Sequence, residues 1–356
     1  MLTAALLLAS VPPAVVGASG APLRMLRWQS GEIRCNGEVV ASSQMRRPDV
    51  ALVTADPQRV RSVGYRFAID GSGRPHSIER DETGFVLHAQ DTGPALAASR
   101  FSAGAVRSDC TIRYTPRFDP IEQAPLGDLA AYSIFPAGLT KLPPAGWNRL
   151  MPTGDCRDRP RPAVLLRAYP DFSKVAATPG ARDWSLIAFD TDAEGRPVNA
   201  RVAHASGSSD LDAAAVEAVR ASRFTGGART GCLYPYWRAA GRLTAPDKPD
   251  ESELRPADAS CPAKIEWTTR PNTHYPPAYR QRAIEGWAVL SFDAAPWGEI
   301  GNIRILDAQP SADFGDQALR ILRSGRIAPS AQGATGCIET VKFKMPDHYG
   351  QFAEDE

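Results

Sequence analysis

The chain has 356 residues, 43% hydrophobic and 23% charged, with a formal net charge of +1. That length accommodates two or three domains, each large enough to bury a core. The balanced charge excludes a basic nucleic-acid surface or a strongly cationic membrane patch as the organising feature.

In chain order, Leu2 to Val16 form an apolar run broken by Pro12 and Pro13. The run is shorter than the roughly 20 residues a membrane span needs. Small residues from Gly17 to Ala21 supply a cleavage site, although a positively charged n-region is missing. The expectation is a signal peptide over 1–21 and export, with an uncleaved signal-anchor as the alternative.

The cysteines stand at 35, 110, 156, 232, 261 and 337, so consecutive pairs are 75, 76 and 76 positions apart. Six cysteines allow 15 connectivities, and the repeat makes Cys35 with Cys110, Cys156 with Cys232, and Cys261 with Cys337 the simplest. An export signal and an even count favour disulfides over redox thiols, and no C-x-x-C occurs. Other landmarks recur in register. Phe67, Asp70 and Gly73 match Phe189, Asp192 and Gly195, then Phe292, Ala295 and Gly298. Arg100-Phe101, Arg223-Phe224 and Arg326-Ile327 follow those phenylalanines at nearly constant distance.

Three homologous modules are therefore expected: a degenerate one over 22–118, then 156–244 and 261–346. Within each, alternate positions such as 185, 187 and 189 or 288, 290 and 292 line one face of a strand. Gly-containing turns (DGSGRP, DAEGRP, APWGEI) join it to a second strand. A helix follows, with Leu211, Ala214, Ala215, Ala218 and Val219 as its apolar stripe in module two. In module one, Gly93 and Pro94 leave room only for a short helix after Pro94. A final strand runs near 111–118, 233–239 and 338–345. The connector 119–155 carries enough Leu, Ile, Phe and Trp to pack on a neighbour. The segment 245–260 reads as a plain linker, and 347–356 as a solvated acidic tail.

With those residues laid out, the chain resembles the TonB C-terminal domain family in tandem copies. Tyr275, Pro276, Ala283 and Gly286 resemble the first half of the family pattern. Ser206, Gly207, Leu211, Asp212, Ala214, Ala215, Arg223 and Phe224 resemble the second. The resemblance implies an α+β fold in which each module is a three-stranded antiparallel sheet with two helices on one face. It further implies binding of an outer-membrane TonB-dependent receptor, or another envelope protein, by β-strand addition. The expected edge is Thr340, Val341, Lys342, Phe343, Lys344 and Met345. Module three departs from the pattern at Asp307, Ala308, Gln309, Pro310 and Ile327, and the chain shows no long Pro-rich spacer.

His204, Ser206, Ser208, Ser209 and Asp210 offer an enzymatic alternative. A catalytic triad needs a base and an orienting acid within hydrogen-bond reach of the nucleophile. Ser209 with Asp212 reads instead as a capping box at a helix start, and the polar cluster is not repeated in module three. His76, His88, His204, His274 and His348 lack metal-ligand spacing. No metal, cofactor or nucleic-acid partner is expected, and the chain reads as non-enzymatic. Trp267, Trp287 and Trp297 read as packing residues, and Arg280 and Arg282 as a solvated helix face. The alternatives to receptor coupling are a soluble adaptor or structural module of the envelope that binds envelope proteins or peptidoglycan, and an exported enzyme using the modules as scaffold.

Overall fold

The computed structural model describes residues 22–346 apart from 55, 83, 138, 139, 263 and 273. The expectations for the signal peptide, the acidic tail and His348 lie outside the described residues. Module one contains β1 (Arg24–Ser30), β2 (Arg34–Cys35), β3 (Glu38–Val39), β4 (Ser42–Gln44), β5 (Ala51–Val53), β6 (Val63–Ile69) and β7 (Pro75–Arg80). It continues through α1 (Thr92–Ala97), β8 (Arg100–Phe101) and β9 (Arg107–Pro120). The connector contributes α2 (Leu126–Ile134) and α3 (Pro144–Leu150). Module two has β10 (Val164–Leu166), β11 (Asp183–Thr191), β12 (Pro197–Ala205), α4 (Ser209–Ala221), β13 (Arg223–Phe224) and β14 (Arg229–Arg238). After α5 (Glu251–Leu254), module three has β15 (Trp267–Thr269), α6 (Pro277–Gln281), β16 (Gly286–Ala294) and β17 (Ile300–Gln309). It ends with α7 (Ala312–Leu322), β18 (Arg326–Ile327) and β19 (Ala334–Phe343).

The architecture is α+β with several small antiparallel sheets. In modules two and three the first long strand is central, giving the orders β12-β11-β14 and β17-β16-β19. Module one repeats this as β7-β6-β9, with β1 and β2 added beyond β9. The alternation in β11 turns Ile187 and Phe189 toward Ala215, Val219 and Phe224. Leu186 and Trp184, on the other face, pack with Leu129, Ala130 and Leu150 of the connector. The three disulfides Cys35–Cys110, Cys156–Cys232 and Cys261–Cys337 close each module.

The recurrent Gly and Arg-Phe landmarks turn out to be one contact. Gly73, Gly195 and Gly298 sit at φ +81°, +74° and +87°. Their carbonyls accept from the N–H groups of Phe101, Phe224 and Ile327 at 2.9, 2.9 and 3.0 Å. A Cβ on Gly195 would lie 1.9 Å from the Phe224 carbonyl oxygen, so both backbone angle and space demand glycine.

Several expectations need correction. Among the described residues, two α-helices in one module occur only in module three, as α6 and α7. In module two, Pro170 and Pro179 interrupt the corresponding segment, and the Asp171 side chain accepts from the Ser173 N–H, so the chain turns instead of coiling. In module one α1 begins at Thr92, ahead of Pro94, because the first helical turn does not need the missing proline N–H. The cap of α4 is Ser208, one residue before the expected Ser209. Its Oγ accepts from the Leu211 N–H at 3.4 Å. Segment 245–260 folds partly as α5, capped by Asp250, whose carboxylate accepts from the Ser252 N–H at 2.9 Å.

The largest correction concerns Arg282, which is not solvated but only 6% exposed. Its guanidinium holds Asp91 at 2.5 Å and Asp49 at 3.9 Å, both from module one. Burial opposes the charge, but the Asp91 carboxylate outweighs it and raises the Arg282 pKa. Around this pair, modules one and three share one apolar core, with Tyr65, Ile78 and Leu96 in the same cluster as Tyr279, Ile284 and Phe314. At its margin Ile78 N–H donates to the Pro310 carbonyl at 2.9 Å, and Ser77 N–H donates to Gln309 Oε1 at 2.8 Å.

Candidate functional site

The expected edge is carried by β19. Its alternation sends Cys337 and Phe343 into the core and leaves Lys342 exposed. Antiparallel pairing joins it to β16, with Ala288 opposite Val341 and Val289 opposite Thr340. Among the described residues, no strand pairs with β19 on the side away from β16. The strand ends at Phe343, so Lys344 and Met345 lie past it. Met345 is buried beside Ala240 and Ala283, and its N–H donates to Glu285 Oε1 at 2.9 Å, which withdraws it from any edge.

Matched registers in the three modules reveal which way the β19 backbone points. Arg113, Pro235 and Thr340 are paired respectively with Gly64, Leu186 and Val289, equivalent positions on the central strands. In module one the Arg113 carbonyl accepts from the Gly31 N–H at 2.7 Å, on the side away from β6. In an antiparallel ladder a residue's N–H and C=O point to the same side. Module two agrees, because a proline is accommodated in a sheet where its nitrogen faces outward. The peptide groups of Thr340 therefore face away from β16.

Beside this edge lies a groove of about 260 Å³. Trp267, Arg270 and Pro271 form one wall, and Ile321 and Leu322 at the end of α7 form another. Burial pushes the Glu339 carboxyl up, the nearby Glu251 adds to this, and Arg270 opposes it. Glu251, on α5, accepts a hydrogen bond from Thr340 Oγ1 at 2.7 Å. Sequence reading missed Arg270, Glu339 and Glu251. A usable signal was present: Arg167 follows β10 as Arg270 follows β15, and it lies 5.7 Å over the ring of Tyr234, the counterpart of Glu339.

The catalytic alternative is not assembled. Ser206 Oγ donates to Asp183 Oδ1 at 3.3 Å and accepts from the Trp184 N–H at 2.9 Å. Ser206 lines a cavity of about 310 Å³ where the modules meet, and His204 is not among that cavity's walls. Burial lowers the His204 pKa. Among the described residues no group of three or more His, Cys, Asp or Glu is placed to hold a metal ion. Trp287 is buried and donates through Nε1 to the Pro246 carbonyl at 2.8 Å, Trp267 packs against the core, and Trp297 is 65% exposed at a hairpin tip.

Comparison with known sequences meets this geometry. The sequence model of the Gram-negative bacterial TonB protein C-terminal region matches residues 168–233 and 271–346. These two segments are similar to the TonB C-terminal family. Both hold a three-stranded sheet's central hairpin and its packing helix, so the tandem arrangement of TonB C-terminal segments is built from repeated structure as well as repeated sequence. Protein TonB of Klebsiella pneumoniae is 34% identical over 77 residues, which is 22% of this chain and 31% of that protein. The chain thus spans about a third of the length of that relative.

Proposed function

We propose that this chain is a periplasmic TonB-family protein that binds an extended segment of an outer-membrane TonB-dependent receptor by β-strand addition along β19, and that it acts without catalysis. The observation that carries the reading is the Thr340 backbone, aimed away from β16 beside a groove lined by both apolar and charged side chains. Added strands gain affinity from main-chain hydrogen bonds and selectivity from pockets for alternate side chains. Thr340 and Lys342 supply the outward-facing ladder groups, and Arg270 and Glu339 face the incoming side chains.

Coupling of energy to transport is the fuller form of this reading, and a soluble envelope adaptor is the second. Among the described residues no helix is long and apolar enough to cross a membrane. Fluorescence anisotropy with a labelled peptide from a receptor's TonB-box segment tests the binding. Saturable binding is expected, weakened at least about tenfold in Thr340→Pro, since the outward donor is lost. Equal affinity of the variant sinks the β19 assignment. Receptor-dependent uptake that survives deletion of the chain argues for the adaptor.

A further inference from the structure

The three modules present the same edge in three different conditions. In module one, β1 and β2 run along the outer side of β9, pairing Ser30 with Tyr114, Arg24 with Pro120 and Cys35 with Cys110. The covering strand is fixed, not loosely laid. Met25, Leu26 and Trp28 are buried to 5% exposure or less, and β5 pairs with its far side. Module one is thus already complemented by a strand of its own chain. In module two the equivalent edge carries Pro235, which offers no N–H to an incoming strand at the central position of β14. The next side chain, Trp237, is packed edge-on against Phe135 of the connector at 5.7 Å. In module three the same positions are Thr340, with its N–H intact, and the exposed Lys342.

We infer that the chain is monovalent: β19 alone takes a partner's extended segment, while modules one and two are closed to strand addition, the first by β1 and the second by Pro235. The occupant is identified by what sits on the homologous edge, where β1 shows that an extended strand fits and is held by main-chain bonds. Repetition of the domain has therefore multiplied the scaffold without multiplying the site. This inference rests on the strand-addition reading and adds which edge is used and how many.

The test measures stoichiometry and location together. The full mature chain is titrated by calorimetry with a receptor TonB-box peptide, and amide hydrogen exchange is recorded with and without it. One peptide per chain is expected, with protection confined to Ile338–Lys342. Pro235→Thr installs the residue that module three carries at this position. It is expected to raise the stoichiometry to two and to extend protection to Leu233, Tyr234, Tyr236 and Trp237. Two peptides per unaltered chain, or protection of β14 with Pro235 in place, overturns the assignment. A Pro235→Thr chain that still binds one peptide, with β14 unprotected, overturns the role given to Pro235. Absence of protection at either edge overturns strand addition itself, and monovalency with it.

Discussion

Single residues in this chain do more than their types announce. Ser208 rather than Ser209 supplies the oxygen that caps α4, with Asp210 and Asp212 in the first turn favoured by the helix dipole. Ser208→Ala should therefore lower stability by about 1 kcal/mol in chemical denaturation. Ser209→Ala should be close to neutral, and equal losses from the two would return the cap to Ser209. Gln309 and Pro310 are a second case. They are among the positions where module three departs from the family pattern, and they receive Ser77 and Ile78 of module one. The departure from the family is a docking contact, visible only when another module is brought against it.

At the scale of elements, modules two and three share a clamp across their sheets. Asp190 accepts from Asn199 Nδ2 at 3.0 Å and from the Gly231 N–H at 2.8 Å. Asp293 accepts from Asn302 Nδ2 at 2.8 Å and from the Gly336 N–H at 3.0 Å. One carboxylate thus ties all three strands of its sheet, and Asn199 and Asn302 adopt φ of +55° and +51° to reach it. The side-chain bond from Asn, then the backbone bond from Gly, hold both carboxyls below their usual pKa. A depressed folded pKa contributes stability above the ordinary carboxylate range and loses it as pH falls through the depressed value. Thermal unfolding of Asp190→Asn with Asp293→Asn should therefore show a deficit at pH 7 that closes on acidification. A deficit constant from pH 7 to pH 2 contradicts the clamp. Sequence periodicity carried much of the modular fold: the inward positions of β11, the turn glycines and the stripe of α4 are all local patterns. The clamp, the groove at Arg270 and the covering of β9 were not legible, because each joins residues far apart in the chain whose types are ordinary when read alone. Arg282 was misread for the same reason, since its carboxylate partners lie 191 positions and more away.

At the scale of the molecule, Arg282 with Asp91 and Asp49 joins the first module to the last. Arg282→Ala leaves Asp91 buried and without its guanidinium, a loss of about 3–5 kcal/mol by the behaviour of broken buried pairs. Urea denaturation should show it. Trypsin should then cut more readily after Arg46, which flanks the same junction. A variant as stable and as resistant as the parent would place the junction's strength in its apolar contacts alone. The shared core has one more consequence, and it concerns time. Tyr65, Ile78 and Leu96 complete their packing against Tyr279, Ile284 and Phe314, about two hundred residues downstream. The amino-terminal module cannot finish its core as it is made. It must wait for the final third of the chain, so its contacts are of the high-separation kind that slows folding. The open strand of the third module and the buried face of the first are thus completed in the same late step.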